Sequence, residues 1–209
     1  MKHLLRTKLK KQIQEFETQF REILTERKTV LQQLTDFIQQ KQKLNVAIDL
    51  NFICTHNSRR SHIAQLWAQA AAAYYGIENV HCFSGGTEAT AFNPRAVKAM
   101  KDAGFIITKT KEDANPVYEV RYADGAEPVI AFSKTYDDPF NHTKDFAAIM
   151  TCSHADENCP LVLGASGRIP LTYDDPKEFD GTPQEAEKYA ERVHQIGSEI
   201  FYAFSQVKA

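Results

Sequence analysis

The residues best suited to chemistry occupy one short stretch, from Cys54 to Ser61, where a β-prone run ends and a helix-prone run begins. In a strand–loop–helix junction of this kind, successive backbone N–H groups converge on one point, and the start of the helix adds a partial positive charge. The junction therefore predicts a site that holds a tetrahedral oxyanion without a metal ion. The predicted oxyanion-binding residues are Thr55, His56, Asn57, Ser58, Arg59, Arg60 and Ser61.

Cys54 stands at the bottom of this loop and is the predicted nucleophile. The positive field of the loop favours the thiolate over the thiol and aims it at the central atom of the oxyanion. Arg60 can bind two oxyanion oxygens with its planar guanidinium and stabilise charge as it develops. Asn57 tolerates the left-handed backbone that a tight loop needs, and Ser61 can donate its hydroxyl to the thiolate. A buried structural cysteine beside a charged helix start is the alternative.

The Cys-x5-Arg-Ser pattern that begins at Cys54 resembles the active-site loop of the low-molecular-weight protein tyrosine phosphatase superfamily, which includes the thioredoxin-coupled arsenate reductases. The resemblance covers roughly residues 46 to 205, and the stretches Phe83–Glu88 and Asn93–Met100 are also similar to that family. Two positions depart from the family pattern. His56 stands where glycine is common, and Arg59 stands where a neutral residue or cysteine is usual.

Cys152 and Cys159 lie in a segment similar to the redox segment of the thioredoxin-coupled arsenate reductases. The resemblance implies that Cys54 attacks arsenate, that Cys152 attacks the arseno-thiol adduct and expels arsenite, and that Cys159 then attacks Cys152. The resulting disulfide would be reduced by thioredoxin. Seven positions on a helix span about 10.5 Å, whereas a disulfide needs Cα atoms within about 7 Å, so the segment has to unwind. The alternatives are a metal site formed by Cys152, His154 and Cys159, or two inert thiols.

Asp175 precedes Pro176 just ahead of the last predicted helix, where the superfamily carries an Asp-Pro general acid. Such an acid protonates the leaving oxygen, and the proline restricts the loop that aims it. Asp138 precedes Pro139 in the same four-letter pattern, so spacing alone does not choose between them; the order of the family's motifs favours Asp175. Lys177 stands where tyrosine phosphatases typically place an aromatic residue, which counts against phosphotyrosine as the substrate.

These motifs together predict an arsenate reductase that uses Cys54, Arg60, Cys152, Cys159 and Asp175 and receives its electrons from thioredoxin. A phosphatase that acts through a cysteinyl-phosphate is the second hypothesis, because phosphate and arsenate are nearly isosteric. A non-catalytic protein whose amino-terminal helices bind a partner is the third. No metal ion or other cofactor is expected for catalysis.

The elements that position these residues alternate between short β-prone runs and helices, which is typical of a parallel sheet with helices on both faces. For residues 45–209 we predict an α/β three-layer sandwich with a four-stranded, mainly parallel sheet and an added hairpin. The predicted sheet strands are Val46–Ile53, Val80–Phe83, Phe146–Thr151 and Arg168–Thr172; the hairpin joins Tyr118–Tyr122 to Pro128–Phe132; the helices are Ser61–Tyr75, Asn93–Met100 and Pro183–Ser205.

Residues 1–44 form a predicted helical extension of two helices that are broken near Thr25, a residue suited to cap the second helix. Ten positions between residues 13 and 44 follow a 3–4 spacing, and eight of them are apolar; the other two are Arg27 and Lys41. We expect this stripe to pack against the main domain. A homodimer formed through these helices is the alternative.

The chain has 209 residues, 43% of them hydrophobic and 25% charged, with a net charge of -2. This balance excludes the basic field of a dedicated nucleic-acid binder, and no stretch approaches the roughly 18 apolar residues of a membrane span. The amino terminus has no secretory apolar block, so a cytoplasmic protein is expected. Cys82 is predicted to be a core thiol, and four histidines have no spacing that suggests a metal ion: His62, His81, His142 and His194.

Overall fold

The computed structural model describes residues 4–158 and 161–208. The strands are β1 (Leu4–Leu5), β2 (Ile48–Cys54), β3 (Val80–Gly86), β4 (Ile106–Lys111), β5 (Val117–Arg121), β6 (Ala123–Asp124), β7 (Val129–Ala131), β8 (Phe146–Met150) and β9 (Ala165–Ile169). The α-helices are α1 (Thr7–Gln19), α2 (Thr25–Lys43), α3 (Arg60–Tyr75), α4 (Pro94–Ala103), α5 (Ser153–Asn158) and α6 (Glu185–Ser205). Across the described residues, no helix combines the length and apolar character that crossing a membrane requires.

The central sheet contains β3, β2, β8 and β9 in that order, and each neighbouring pair is parallel. Every residue of β2 is buried, as expected of a central parallel strand with both faces covered. Leu50 and Phe52 belong to the main core cluster together with Trp67 of α3 and Phe201 of α6. Ile53 points to the opposite face and belongs to a smaller cluster. The predicted α/β fold is confirmed.

Two parts of the sheet prediction need correction. The last strand of the sheet is Ala165–Ile169 rather than Arg168–Thr172. It begins with small residues that have weak strand propensity, and it ends before Pro170, which has no N–H to donate to a neighbouring strand. The predicted hairpin is confirmed as the antiparallel pair of β5 and β7, but β4 adds a third strand that the sequence analysis missed. Only one residue of β4 is buried, so its hydrophobic pattern is weak.

The amino-terminal extension forms two helices, and the predicted break near Thr25 is confirmed. A short 3₁₀ turn follows α1, and Leu24 then adopts an extended conformation before α2 begins. Thr25 is not the cap, contrary to the prediction. It is the first residue of α2, and the cap position belongs to Leu24, whose side chain makes no capping hydrogen bond.

The apolar stripe of the extension packs against α6, as predicted. Its members Ile13, Phe16 and Leu34 are fully buried and belong to the main core cluster. The ring of Phe16 lies edge-on to Trp67 of α3, with ring centroids 5.1 Å apart. Strand β1 also pairs with β6, which ties the start of the described chain to the α/β unit. These side chains are covered within a single chain and are not available to a second copy.

Replacing Phe16 with alanine tests this packing. Phe16→Ala is expected to lose about 3–5 kcal/mol of unfolding free energy, because it deletes a fully buried ring and leaves a cavity. Leu24→Ala is the control: its residue is 71% exposed, so a change within about 0.5 kcal/mol is expected. Urea unfolding followed by circular dichroism measures both. Unchanged stability of Phe16→Ala would contradict the position of α1 in the core.

Candidate active site

The predicted oxyanion loop connects β2 to α3. Cys54 is the last residue of β2, and α3 begins at Arg60. Asn57 has a φ of 43°, so the predicted left-handed conformation is confirmed. Its Oδ1 accepts a hydrogen bond from the backbone N–H of Lys134 at 2.9 Å, and its Nδ2 donates to Ser61 Oγ at 2.9 Å. One buried amide therefore fixes both the bend of the loop and the hydroxyl at the start of α3.

The carbonyl groups of the loop are bound from its outer side. Cys54 O and Thr55 O accept hydrogen bonds from the backbone N–H groups of residues 87 and 88, at 3.1 and 2.8 Å. Ser58 O accepts from the N–H of residue 93 at 2.9 Å, and His56 O accepts from Ser133 Oγ at 3.0 Å. In a trans peptide the carbonyl and the next N–H point in opposite directions. The N–H groups of the loop therefore turn inward, as an anion site requires.

Gly86, at the end of β3, allows the loop to pass close to the sheet. A Cβ atom at this position would lie 2.7 Å from Asn57 N and 2.3 Å from Glu88 O, so there is no room for any side chain. Glycine is required here by close approach of backbone. The sequence of this stretch resembles the family, but sequence alone does not show why glycine is needed here.

The nucleophile predicted from the sequence is held by the start of α3. The Sγ of Cys54 lies 3.1 Å from Ser61 Oγ, so the predicted hydroxyl contact is present. Cys54 is buried and belongs to the smaller core cluster. The thiol is therefore held between the loop and the core, where a bound oxyanion would meet it.

Arg60 joins the loop to the segment that carries Asp175. Its Nη1 donates to Tyr173 O at 2.8 Å, and its Nη2 donates to Asp175 Oδ2 at 2.6 Å. Its Nε is buried and has no acceptor among the described residues, so this donor is available to an oxyanion oxygen. Asp138, the second Asp-Pro candidate, instead accepts the N–H of Phe140 at 2.8 Å and caps its own turn. The structure brings Asp175, and not Asp138, to Arg60.

Cys152 lies beside the loop. Its Sγ is 3.5 Å from Thr55 Oγ1, and the same hydroxyl is 3.2 Å from His154 Nδ1. Cys152 is only 1% exposed and shares the smaller core cluster with Cys54. The second predicted reactive thiol therefore contacts the loop that begins at the first. Cys159, the third predicted thiol, lies outside the described residues, so the alternative of a metal site that includes Cys159 is not tested.

The side chains of three residues in the predicted oxyanion loop make contacts outside it. Arg59 Nε donates to Tyr189 Oη at 2.7 Å, and its Nη2 lies 3.2 Å from the Asp180 carboxylate. Ser58 Oγ donates to the carbonyl of residue 91, and half-exposed His56 lies near Glu88. The assignment of these residues to the oxyanion site therefore rests on their backbone N–H groups and stays a prediction. These residues reach the inner side of the loop only through backbone N–H groups.

Lys134 adds a positive charge behind the loop that the sequence analysis missed. It is 2% exposed, and burial lowers the pKa of its ammonium group to about 8. Its Nζ lies over the rings of Phe132 and Phe140, 4.5 and 5.2 Å from their centroids. Burial, followed by the charge of Lys134, lowers the pKa of His62 well below its usual value. His62 is therefore neutral, and Lys134 provides the charge at this position.

Arg27 of α2 supports the segment that carries Asp175, a contact that the sequence analysis also missed. Its Nη2 donates to Thr172 O at 3.0 Å and lies 2.7 Å from Glu199 of α6. Its guanidinium covers the ring of Tyr173 at 4.7 Å. Burial works against the charge of Arg27, but Tyr173 and Glu199 raise its pKa above the ordinary value. The signal was present in the sequence, because Arg27 interrupts an otherwise apolar stripe.

Comparison with known proteins identifies relatives of this site. The sequence model described as low molecular weight phosphotyrosine protein phosphatase matches residues 49–152. The arsenate reductase of Bacillus licheniformis is 32% identical over 151 residues, which covers 71% of this chain and 89% of that protein. The arsenate reductase of Halalkalibacterium halodurans is 31% identical over 150 residues, with the same coverage. The crystal structure of a low-molecular-weight protein tyrosine phosphatase from T. tengcongensis has a TM-score of 0.50 at 16% identity, covering 77% of this chain and 99% of that one.

The ion pair of Arg27 and Glu199 allows a direct test of how the extension supports the site. Arg27→Met is expected to lose about 3–5 kcal/mol of unfolding free energy, because it leaves the buried Glu199 carboxylate without its partner. The double variant Arg27→Met/Glu199→Gln removes both charges and is expected to recover at least half of that loss. Urea unfolding of both single variants and the double variant measures this coupling. Purely additive losses would contradict it.

Proposed function

The chain belongs to the low-molecular-weight phosphotyrosine protein phosphatase family, and we propose that it is an enzyme that reduces arsenate to arsenite through three thiols. The observation that carries the proposal is the position of the buried Cys152 Sγ, which lies 3.5 Å from the Thr55 hydroxyl in the loop that begins at Cys54. Hydrolysis of a phosphoester has no use for a second thiol at this position. The relatives at about 30% identity that are arsenate reductases support the same assignment.

In the first step, the loop N–H groups and Arg60 hold arsenate with its arsenic atom next to Cys54 Sγ. The thiolate attacks arsenic, and one oxygen leaves as water with a proton from Asp175. Arg60 and the N–H of Lys177, which donates at 3.1 Å, place the Asp175 side chain beside the loop. When the oxyanion takes over the Arg60 guanidinium, the oxygen that Arg60 held is released and can carry the proton. The nucleophile, the anion donors and the acid then lie together at the carboxyl end of β2.

In the second step, Cys152 attacks the sulfur of Cys54. The electron pair of the sulfur–arsenic bond passes to arsenic, which leaves as arsenite, and the two thiols become a disulfide. Cys159 then attacks Cys152 and frees Cys54. The helix α5 lies between Cys152 and Cys159 and has only six residues, so little helical structure has to be lost for the two sulfurs to meet.

We assign the final reduction to thioredoxin in the cytoplasm, where thiols are kept reduced. Two large apolar residues that follow Cys159 in the sequence by two and four positions support a protein as the reductant: Leu161 and Leu163 are 71% and 72% exposed. An exposed apolar pair next to a disulfide provides a surface on which a protein dithiol can dock.

Hydrolysis of phosphoesters is the second candidate activity. Cys54, Arg60 and Asp175 are the groups that a phosphatase of this kind needs, and phosphate has the shape of arsenate. The presence of Lys177 instead of an aromatic residue disfavours phosphotyrosine. The two activities differ in their need for the second and third thiols.

The need for these thiols separates the two activities. Supplied with thioredoxin, thioredoxin reductase and NADPH, the wild-type protein is expected to convert arsenate to arsenite. Cys152→Ser and Cys159→Ser are expected to lose this turnover and to keep hydrolysis of an aryl phosphate, for which Cys54 is the only thiol needed. Arsenite is measured directly and NADPH consumption in parallel.

Cys82→Ala is the matched control for the thiol variants. Burial, followed by the Asp49 carboxylate, raises the pKa of the Cys82 thiol, so this cysteine is inert and both activities are expected to persist. Aryl phosphate hydrolysis without any arsenite from the wild type would overturn the reductase proposal and favour the phosphatase.

A second test concerns the acid. Asp175→Asn is expected to lower kcat about 10²–10⁴-fold, because the amide cannot supply a proton to the leaving oxygen. Asp138→Asn, in the other Asp-Pro pair, is the matched control and is expected to retain kcat, since the Asp138 carboxylate caps its own turn and makes no hydrogen bond to Arg60. Steady-state rates with arsenate and with an aryl phosphate measure both variants. Equal losses in the two variants would contradict the assignment of the acid.

A further inference from the structure

Two histidines and one aspartate meet at the opposite end of β2 from the active site. Asp49 and His81 are direct neighbours in the parallel pair of β2 and β3, so their side chains lie on the same face of the sheet. His142 reaches them from the segment between β7 and β8. The Nδ1 of His81 lies 2.8 Å from Asp49 Oδ1, and the Nδ1 of His142 lies 2.8 Å from Asp49 Oδ2.

The arrangement combines a fixed carboxylate with two adjustable rings. The Asp49 side chain is 11% exposed, whereas those of His81 and His142 are 47% and 51% exposed. One potential donor atom from each residue lies within 4.8 Å of the other two. Among the residues that the structure describes, no second group of three such side chains satisfies this distance.

We propose that Asp49, His81 and His142 bind a divalent transition-metal ion of the zinc type. Imidazole nitrogen and carboxylate oxygen are ligands that Zn²⁺ and Co²⁺ accept, and three protein ligands leave a fourth position for water. With metal–ligand distances of about 2.0–2.2 Å, tetrahedral donor atoms lie about 3.3 Å apart. The two contacts with Asp49 are 2.8 Å long, slightly shorter than this value, so small rotations of the half-exposed rings suffice to admit the ion.

Binding of the ion changes the tautomer of both rings. Without an ion, each Nδ1–H donates to the carboxylate, which can only accept. When the ion binds, the Nδ1 lone pairs point to the metal and each ring carries its proton on Nε2. For neutral imidazoles this exchange through water releases no net proton, and the carboxylate supplies one negative charge to the ion.

The ion has a structural role in this proposal. Asp49 precedes Cys54 by five residues of β2, about 16 Å, so the ion does not touch the substrate. It joins the sheet to the segment between β7 and β8. The other end of that segment carries Ser133 and Lys134, which bind His56 O and Asn57 Oδ1 of the oxyanion loop. The ion therefore restrains a segment that supports the loop from outside.

The experiment is a titration of the reduced, full-length protein with Zn²⁺ and with Co²⁺ by calorimetry. The wild type is expected to bind one ion per chain that is lost in each of Asp49→Asn, His81→Gln and His142→Gln. His194→Gln is the matched control, because His194 is a half-buried histidine 3.7 Å from the carboxylate of Glu15 outside this cluster. It is expected to retain the ion.

Thermal unfolding supplies a second measurement. At an ion concentration about 100-fold above Kd, Tm of the wild type is expected to rise by about 5–10 °C, and the rise is expected to disappear in His81→Gln and His142→Gln. The visible spectrum of the Co²⁺ protein identifies the ligands, since thiolates add an intense charge-transfer band and nitrogen and oxygen ligands do not.

Three outcomes would overturn the proposal. The first is that the wild type binds no ion in stoichiometric amount, which would leave the three residues as a hydrogen-bonded cluster only. The second is that all three cluster variants still bind the ion. The third is that His194→Gln loses the ion as the cluster variants do, which would indicate a general effect of removing an imidazole. Circular dichroism of each variant establishes that it is folded, and the half-exposed rings make the Gln replacements mild.

Discussion

The active site depends on one backbone constraint, the left-handed bend at Asn57. The bend turns the carbonyl groups of the loop toward outer partners and its N–H groups toward a common centre. The Asn57 side chain stabilises the bend, because it binds Lys134 N on one side and Ser61 Oγ on the other. Ser61 in turn contacts Cys54 Sγ. The orientation of the donors and the position of the nucleophile therefore follow from the same residue.

A loop that concentrates donors and positive charge needs a counter-charge when no anion is bound. Arg60 finds it in Asp175, and Arg59 finds it in Asp180. Only the first of these pairs faces the proposed oxyanion, which competes with Asp175 for the guanidinium. The segment around Asp175 must therefore hold its position from behind. Arg27 supplies that support through Thr172 O, which gives the amino-terminal helices a direct connection to the chemistry.

Local features of the fold were predictable and long-range contacts were not. The strand–loop–helix junction and the glycine that ends α3 at Gly76 follow from neighbouring residues, and the structure agrees with both. The polar β4 and the small residues of β9 have little hydrophobic pattern, so their strands were missed or misplaced. The contact between Arg59 and Tyr189 joins residues 130 positions apart, so no pattern in the sequence indicates it. The cluster at Asp49 joins residues 32 and 93 positions apart, which no spacing rule connects.

The same side-chain type has different chemistry at different positions on the sheet. Cys82 lies within β3, where burial and the Asp49 carboxylate both favour the neutral thiol. Cys54 lies at the carboxyl end of the adjacent strand, where its Sγ is 3.1 Å from Ser61 Oγ at the start of α3 and faces the predicted anion-binding loop. The carboxyl ends of parallel strands are where loop amides and helix starts converge, so chemistry is found there. Cys152 follows β8 at the same edge, and its proximity to Cys54 is a consequence of the parallel pairing of β2 with β8.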